Sequence, residues 1–203
     1  YRKAADQGLA DAQCIVGHIH LGRKNYTEST RWYRKAAEQG DAQAQHNLGV
    51  AYSGGTGVKE DHAEAAHWYR KAAEQGDAPA QYNLGLIYIK DQGGLKKDVV
   101  EGARWIRMAA DQGYALAQFV LGNFAHGDQD EIETDQAQAI RWWRKAALQG
   151  ECQSQFNLGT RYELGEGVEQ DFAEAAPGTG SPLSKDVSTL SAASAYATMM
   201  AMG

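Results

Sequence analysis

Apolar positions along this chain recur with the period of a helix. Between 62 and 75, Ala65, Trp68, Tyr69, Ala72 and Ala73 fall at i, i+3, i+4, i+7 and i+8, one stripe of a 3.6-residue turn. Arg70, Lys71 and Glu74 fall on other sides of the same helix. The pattern predicts a helix B from about His62 to Gln75. Upstream, Ala42, Gln45, Leu48, Gly49 and Tyr52 make a second stripe, which predicts a helix A from Ala42 to Ser53. The joint between them reads Gly54-Gly55-Thr56-Gly57-Val58-Lys59-Glu60.

Start and stop signals agree with this reading. Asp61 precedes helix B and Glu64 stands three residues on, a capping-box arrangement in which each side chain can bond the other's backbone N–H. The same device recurs as Asn25/Glu28, Asp98/Glu101, Asp135/Gln138 and Asp171/Glu174. Gly76 follows the helix where a left-handed residue closes the last turn. In mid-helix, Gly49 costs about 1 kcal/mol against alanine. It returns as Gly17, Gly85, Gly122 and Gly159, which predicts close helix–helix approach at that spot.

The whole unit repeats. Ala-Ala-x-Gln-Gly ends at Gly8, Gly40, Gly76, Gly113 and Gly150, at intervals of 32, 36, 37 and 37 residues. A fixed period in this range implies stacked units, none of which buries its apolar face alone. The expected architecture is an all-α solenoid of about five helix-turn-helix repeats over 1–176, with units starting near 9, 41, 77, 114 and 151.

Composition narrows the function. The net charge of −6 and pI of about 5.5 argue against a nucleic-acid partner, which needs a basic stripe. No apolar run approaches the roughly 18 residues of a membrane span. Cys14 and Cys152 lie in the first and fifth units, beyond disulfide reach in a solenoid, and read as two buried or half-buried thiols. The chain starts at Tyr1 inside a repeat and without Met, so a fragment is expected; the sequence does not reveal localisation. The Gly55-x-Gly57-Val58 corner lacks the Lys-Ser/Thr and the preceding strand of a phosphate-binding loop. Positive φ at a tight corner explains its glycines, and Val58 is placed to plug the gap between helices.

Between Gln43 and Trp68 the motif residues are Asn47-Leu48-Gly49, Tyr52, Gly55, Gly57-Val58, Asp61, Ala65 and Trp68. Asn83-Leu84-Gly85 with Tyr88, Asp98 and Trp105 matches again. Asn157-Leu158-Gly159 with Tyr162, Gly165, Gly167-Val168 and Asp171 opens a fifth copy. This pattern resembles the Sel-one-like repeat, a relative of the tetratricopeptide repeat. The resemblance implies a right-handed α/α superhelix with an adaptor role and no cofactor. Some cysteine-rich bacterial members are linked to β-lactam binding or hydrolysis, but they carry a cysteine pair in each repeat and this chain does not. The first unit has a shortened loop. The fourth replaces the glycine corner with Asp128-Gln129-Asp130-Glu131-Ile132-Glu133 and has Phe124-Ala125 near the tyrosine position.

In such superhelices helix A lines the concave face. Two positions before the core leucine stand Cys14, His46, Tyr82, Phe119 and Phe156. Two positions after it stand His18, Val50, Leu86, Asn123 and Thr160, and the outer turn adds Leu21, Ser53, Ile89, His126 and Glu163. The groove reads as aromatic and apolar in the middle and polar at its ends, which suits a peptide or protein segment. The rings could equally pack between adjacent A helices. Asn47, Asn83 and Asn157 could hold a ligand's backbone amides or bond a neighbouring helix.

The expected function is therefore a non-enzymatic protein–protein interaction scaffold. The alternatives are a regulatory subunit of a larger enzyme, or a metal or Cys–His site. The last would use Cys14 and His18, at i and i+4, with His46 one unit on. His62, His67 and also His126 read as solvated. After Ala176 the repeat stops at Pro177-Gly178-Thr179-Gly180-Ser181-Pro182. Residues 183–203 form a Ser-, Ala- and Met-rich tail with one possible helix, Asp186 to Met202. The tail could be disordered, cap the last unit, or self-associate through a groove.

Overall fold

A computed structural model describes residues 1–128 and 134–171. Among the described residues ten α-helices follow one another: α1 (Arg2–Asp6), α2 (Ala10–Gly22), α3 (Tyr26–Glu38), α4 (Ala42–Ser53), α5 (His62–Glu74), α6 (Ala78–Lys90), α7 (Val99–Asp111), α8 (Ala115–Asn123), α9 (Gln136–Leu148) and α10 (Cys152–Leu164). No strand occurs among the described residues. Even-numbered helices are the A helices and odd-numbered ones the B helices, and each packs on its neighbours in sequence. The tail, Glu174 and the acidic insert at 129–133 lie outside the described residues.

The predicted stripes are the core. Ala65, Trp68, Tyr69, Ala72 and Ala73 are all buried, as are Leu48 and Gln45 of α4. Clusters straddle units: Trp68 of α5 packs with Tyr33, Ala36 and Ala37 of α3 and Leu48 of α4. Trp142 of α9 inserts in the same way among Ile106, Ala109 and Leu121. Each tryptophan thus seals its own unit against the previous one, as a one-dimensional stack requires.

The mid-helix glycines mark contact points. A Cβ on Gly49 would lie 2.7 Å from the Tyr69 ring, and one on Gly122 would lie 2.3 Å from Trp143. Among the mid-helix glycines, backbone meets backbone between α6 and α7. A Cβ on Gly85 would stand 2.7 Å from the Gly102 carbonyl oxygen, and one on Gly102 would stand 2.8 Å from that of Gly85. The loop glycine Gly57 (φ +77°) faces the Tyr26 carbonyl oxygen, only 2.3 Å from where its Cβ would be. Val168, in the equivalent fifth-unit loop, packs on the Ile140–Trp143 cluster.

The helix starts differ from a capping box in one respect. Asp61, Asp98 and Asp135 each accept from the N–H three residues on, and Asn25 does so at 3.4 Å. The return bond is not made. The Asp61, Asp98, Asp135 and Asp171 N–H groups instead donate to the Tyr52, Tyr88, Ala125 and Tyr162 carbonyls. The end of the A segment is thereby tied to the start of α5, α7 and α9, which satisfies orphan groups there.

A glutamine ladder runs through the stack. Gln13, Gln45, Gln81, Gln118 and Gln155 donate to the Ala5, Ala37, Ala73, Ala110 and Ala147 carbonyls, each eight residues back at the end of the preceding B helix. The side-chain oxygens of the first four accept from Gln39, Gln75, Gln112 and Gln149 at 2.7–2.9 Å. These donors are the glutamines of Ala-Ala-x-Gln-Gly. A buried amide is tolerated only when paired, and here each pairs with the unit before and with the end of its own.

In the fourth unit α8 ends in a π turn, Phe124–Asp128, with Gly127 at φ +121°. The wider turn absorbs the displaced aromatic residue. Phe124 and Ala125 are both buried, in the clusters on either side.

Candidate functional site

Residues two before and two after the core leucine are i and i+4 to each other, so they share the helix face turned away from the core. On α4 this pair is His46 and Val50, on α6 Tyr82 and Leu86, on α8 Phe119 and Asn123, and on α10 Phe156 and Thr160. The gradient of exposure is informative. His46, Tyr82, Leu86, Phe119 and Asn123 are half-buried, while Val50 and Phe156 are 45% and 63% exposed. Cys14, at the matching position on α2, is buried against Tyr33 and Ala36 and belongs to the core. His18 is exposed on that helix.

The half-buried rings serve packing as well. Tyr82 meets Tyr114, at the start of α8, edge-on with centroids 5.4 Å apart. Phe119 packs on the cluster of Ala139, Ile140, Trp143 and Leu158. Phe156 remains an exposed ring at the end of the row.

The Asn-Leu-Gly asparagines bond neighbouring A helices. Asn47 Nδ2 lies 3.3 Å from His18 Nε2, Asn83 Nδ2 lies 3.2 Å from His46 Nε2, and Asn157 Nδ2 donates to Asn123 Oδ1 at 3.4 Å. The His18 tautomer follows from its other nitrogen. Nδ1 is 3.0 Å from the Cys14 carbonyl oxygen, which can only accept, so Nδ1 carries the proton. In the neutral ring Nε2 is then the acceptor, to which Asn47 presents its NH2 group.

That assignment bears on the Cys14/His18/His46 set. His18 Nδ1 is 3.8 Å from Cys14 Sγ, but its proton is committed to the carbonyl, so it cannot take the thiol's. Burial, helped by the nearby Asp41 carboxylate, pushes the Cys14 thiol up to about 12, which leaves almost no thiolate at neutral pH. His46 is occupied by Asn83, and burial holds its imidazole below the usual value. No group of three His, Cys, Asp or Glu side chains capable of holding a metal occurs among the described residues. Cys152 is exposed rather than half-buried.

The fourth and fifth units carry a polar cluster. Asn123 Oδ1 accepts from Trp143 Nε1 at 2.9 Å as well as from Asn157. His126, expected on a solvated face, is half-buried. Its Nε2 bonds Arg161 of the next A helix, and its ring tilts against Trp143 at 5.4 Å. Arg161 in turn bonds Glu166.

A second row crosses unit boundaries on another side of the stack. Arg34, Arg70 and Arg144 on B helices donate to the hydroxyls of Tyr52, Tyr88 and Tyr162 at 2.6–2.8 Å, each eighteen residues on. Arg70 is therefore not simply solvated. Eighteen residues after Arg107 stands Ala125, and Arg107 turns instead to Gln138 Oε1 at 3.2 Å. A shallow cavity of about 450 Å³ adjoins the first of these pairs, lined by Arg34, Tyr52, Val58 and the charged run Lys59-Glu60-Asp61 with Glu64. The fixed Arg-to-Tyr spacing was visible in the sequence; its meaning required knowing that the two helices touch.

The Sel1 repeat profile matches residues 1–9, 10–41, 42–77, 78–114, 115–151 and 152–176. A protective antigen of uropathogenic Escherichia coli displaying an SLR fold is 35% identical, with a TM-score of 0.77, over 86% of this chain and 38% of the antigen's length. A Sel1 repeat protein from Oxalobacter formigenes is 34% identical, with a TM-score of 0.76, over 83% of this chain and 68% of its own. The chain thus spans well under half of the Escherichia coli protein it resembles. No curated protein matches it.

Proposed function

The chain belongs to the Sel1 repeat family, and we propose that it binds a peptide or protein segment in the concave groove lined by its A helices. Sel1 repeat proteins generally act as protein–protein interaction scaffolds, and its solenoid neighbours are typically non-enzymatic. The observation that carries the finer reading is the outward pair on successive A helices. Its members differ from unit to unit, whereas the core, cap and ladder positions repeat. Stacking alone does not call for Val50 at 45% exposure in the middle of the stack; apolar side chains at outward positions supply anchors for a partner.

Binding would bury the exposed parts of Tyr82, Leu86, Phe119 and Phe156, with His18, His46, Asn47, Asn83, Asn123, His126 and Asn157 as the polar frame. Pull-downs with the intact protein and with Tyr82→Ala/Phe119→Ala/Phe156→Ala test this. Loss of a specific partner with helical circular dichroism retained supports the groove. An unchanged partner set in the folded variant refutes it.

A further inference from the structure

Charge is segregated between the two layers of the solenoid. The B helices α3, α5, α7 and α9 carry three to five charged side chains each. The A helices α4 and α8 carry none, and α6 carries one, Lys90, at its last position. Burial alone does not account for this. Exposed positions on these A helices hold Val50 and Leu116, at 45% and 43% exposure, where a solvated helix face would carry Lys or Glu. Charges return only at the ends of the array, as Asp11 on α2 and as Arg161 and Glu163 on α10.

The polar groups bordering this stretch are oriented by hydrogen bonds. His18 on α2 donates from Nδ1 to the Cys14 carbonyl, and Asn47 Nδ2 lies 3.3 Å from its Nε2. The Asn47 carboxamide is thereby fixed with Oδ1 as a remaining acceptor. Asn83 Nδ2 lies 3.2 Å from His46 Nε2 in the same arrangement one unit on. Two neutral amide oxygens flanked by Val50, Tyr82, Leu86 and Phe119 match a polypeptide backbone between apolar side chains. They offer nothing to neutralise a charged one. The carboxylates that approach this wall, Asp41 beside Cys14 and Asp77 beside His46 and Tyr114, are already committed to the helix N-termini of α4 and α6, and a charge moved from water against a half-buried wall loses its hydration.

We infer that the stretch formed by α4, α6 and α8 recognises an uncharged segment of another protein, rich in aliphatic or aromatic side chains. Asn47 and Asn83 accept backbone N–H bonds from it, and no ion pair forms. The inference rests on the groove reading above and adds the partner's chemistry to it.

The test uses the full chain and a displayed library of random peptides, selected in 0.1 M NaCl. Selected peptides are then synthesised and titrated in 0.1 M and 1 M NaCl, which shortens the screening length from about 10 Å to about 3 Å. The expected peptides are depleted in Lys, Arg, Asp and Glu, and their Kd changes by less than about 2-fold between the two salts. Val50→Glu, at an exposed position that folding tolerates, should weaken them about 10-fold or more, and Asn83→Leu should weaken them without altering the sequence preference. Selected peptides with acidic or basic anchors, or a Kd that rises steeply with salt, overturn the inference and leave the groove reading standing, provided Val50→Glu still weakens binding. Binding unaffected by Val50→Glu and by Asn83→Leu, but lost with Arg34→Ala/Arg144→Ala, overturns both. Failure to select any peptide, or a concentration-dependent dimer abolished by Val50→Glu, also overturns it, the latter by making a second copy the occupant.

Discussion

Gly85→Ala sets two opposed effects against each other in one methyl group. Alanine in mid-helix gains about 1 kcal/mol over glycine. Against this, the new Cβ would stand 2.6 Å from Ile106 Cγ1 and 2.7 Å from the Gly102 carbonyl oxygen. The ring or methyl of a flexible side chain can move aside at modest cost. The Gly102 carbonyl cannot, because it lies in α7 and Gly102 itself is pressed against the Gly85 carbonyl at a matching distance. Relief requires α6 and α7 to separate, and that opens the cluster around Ile106. Overpacking of this kind costs about 1–3 kcal/mol, occasionally more, so the balance is a net destabilisation of up to about 2 kcal/mol. For a chain of this length that lowers Tm by up to roughly 8 °C. Gly22→Ala is the control: nothing lies within 4 Å of its Cβ and its φ is not left-handed, so it keeps only the propensity gain. Thermal unfolding followed by circular dichroism compares the two. A Gly85→Ala protein that melts at or above the Gly22→Ala protein would refute the claim that the repeated glycine exists for close approach.

Gln81→Leu removes the donor to the Ala73 carbonyl and the acceptor for Gln112 together. With the Ala73 carbonyl stranded in a buried site, urea denaturation should show a loss of about 1–3 kcal/mol, and a loss under about 0.5 kcal/mol would mean the ladder is ornamental. The two thiols should separate by reactivity. Cys14 is buried with its pKa pushed up to about 12, whereas Cys152 is exposed. A disulfide-exchange reagent at mildly alkaline pH should therefore label one thiol quickly and the other only on unfolding. Raising the pH toward 12 in the folded protein should speed the slow one, because the thiolate is the nucleophile. Equal rates for both at neutral pH would contradict the burial of Cys14.

How far the sequence could be read depended on whether a signal was periodic within one helix or held between helices. The apolar stripe of α5, the caps at Asp61 and Asp98, and the terminal Gly76 are local, and the structure has them where the pattern puts them. Local signals failed where a neighbour decides. Cys14 occupies the same repeat position as Tyr82 and Phe156, yet it lies in the core, because the shorter side chain reaches no further than Tyr33 and Ala36. The second half of the capping box is absent because the Asp61 N–H has a nearer acceptor, the Tyr52 carbonyl at 3.0 Å. His126 looked solvated because nothing near it in sequence covers it; Arg161, thirty-five residues on, does.

The ladder also explains how this fold can separate stability from recognition. Gln81 and Tyr82 are consecutive, and about 100° of helical rotation separates them. One is fully buried and bonded to the unit before and to the end of its own; the other shows part of its ring to solvent. The same adjacency holds for Gln45 and His46, for Gln118 and Phe119, and for Gln155 and Phe156. The first of each pair is always glutamine, and the second is imidazole, phenol or phenyl. The glutamine's bonds are to backbone carbonyls and to other glutamines, so they do not depend on what stands beside it. A change at the outward position therefore leaves the bonds between units intact. This is a physical reason for the outward row to vary along a chain whose inward rows do not.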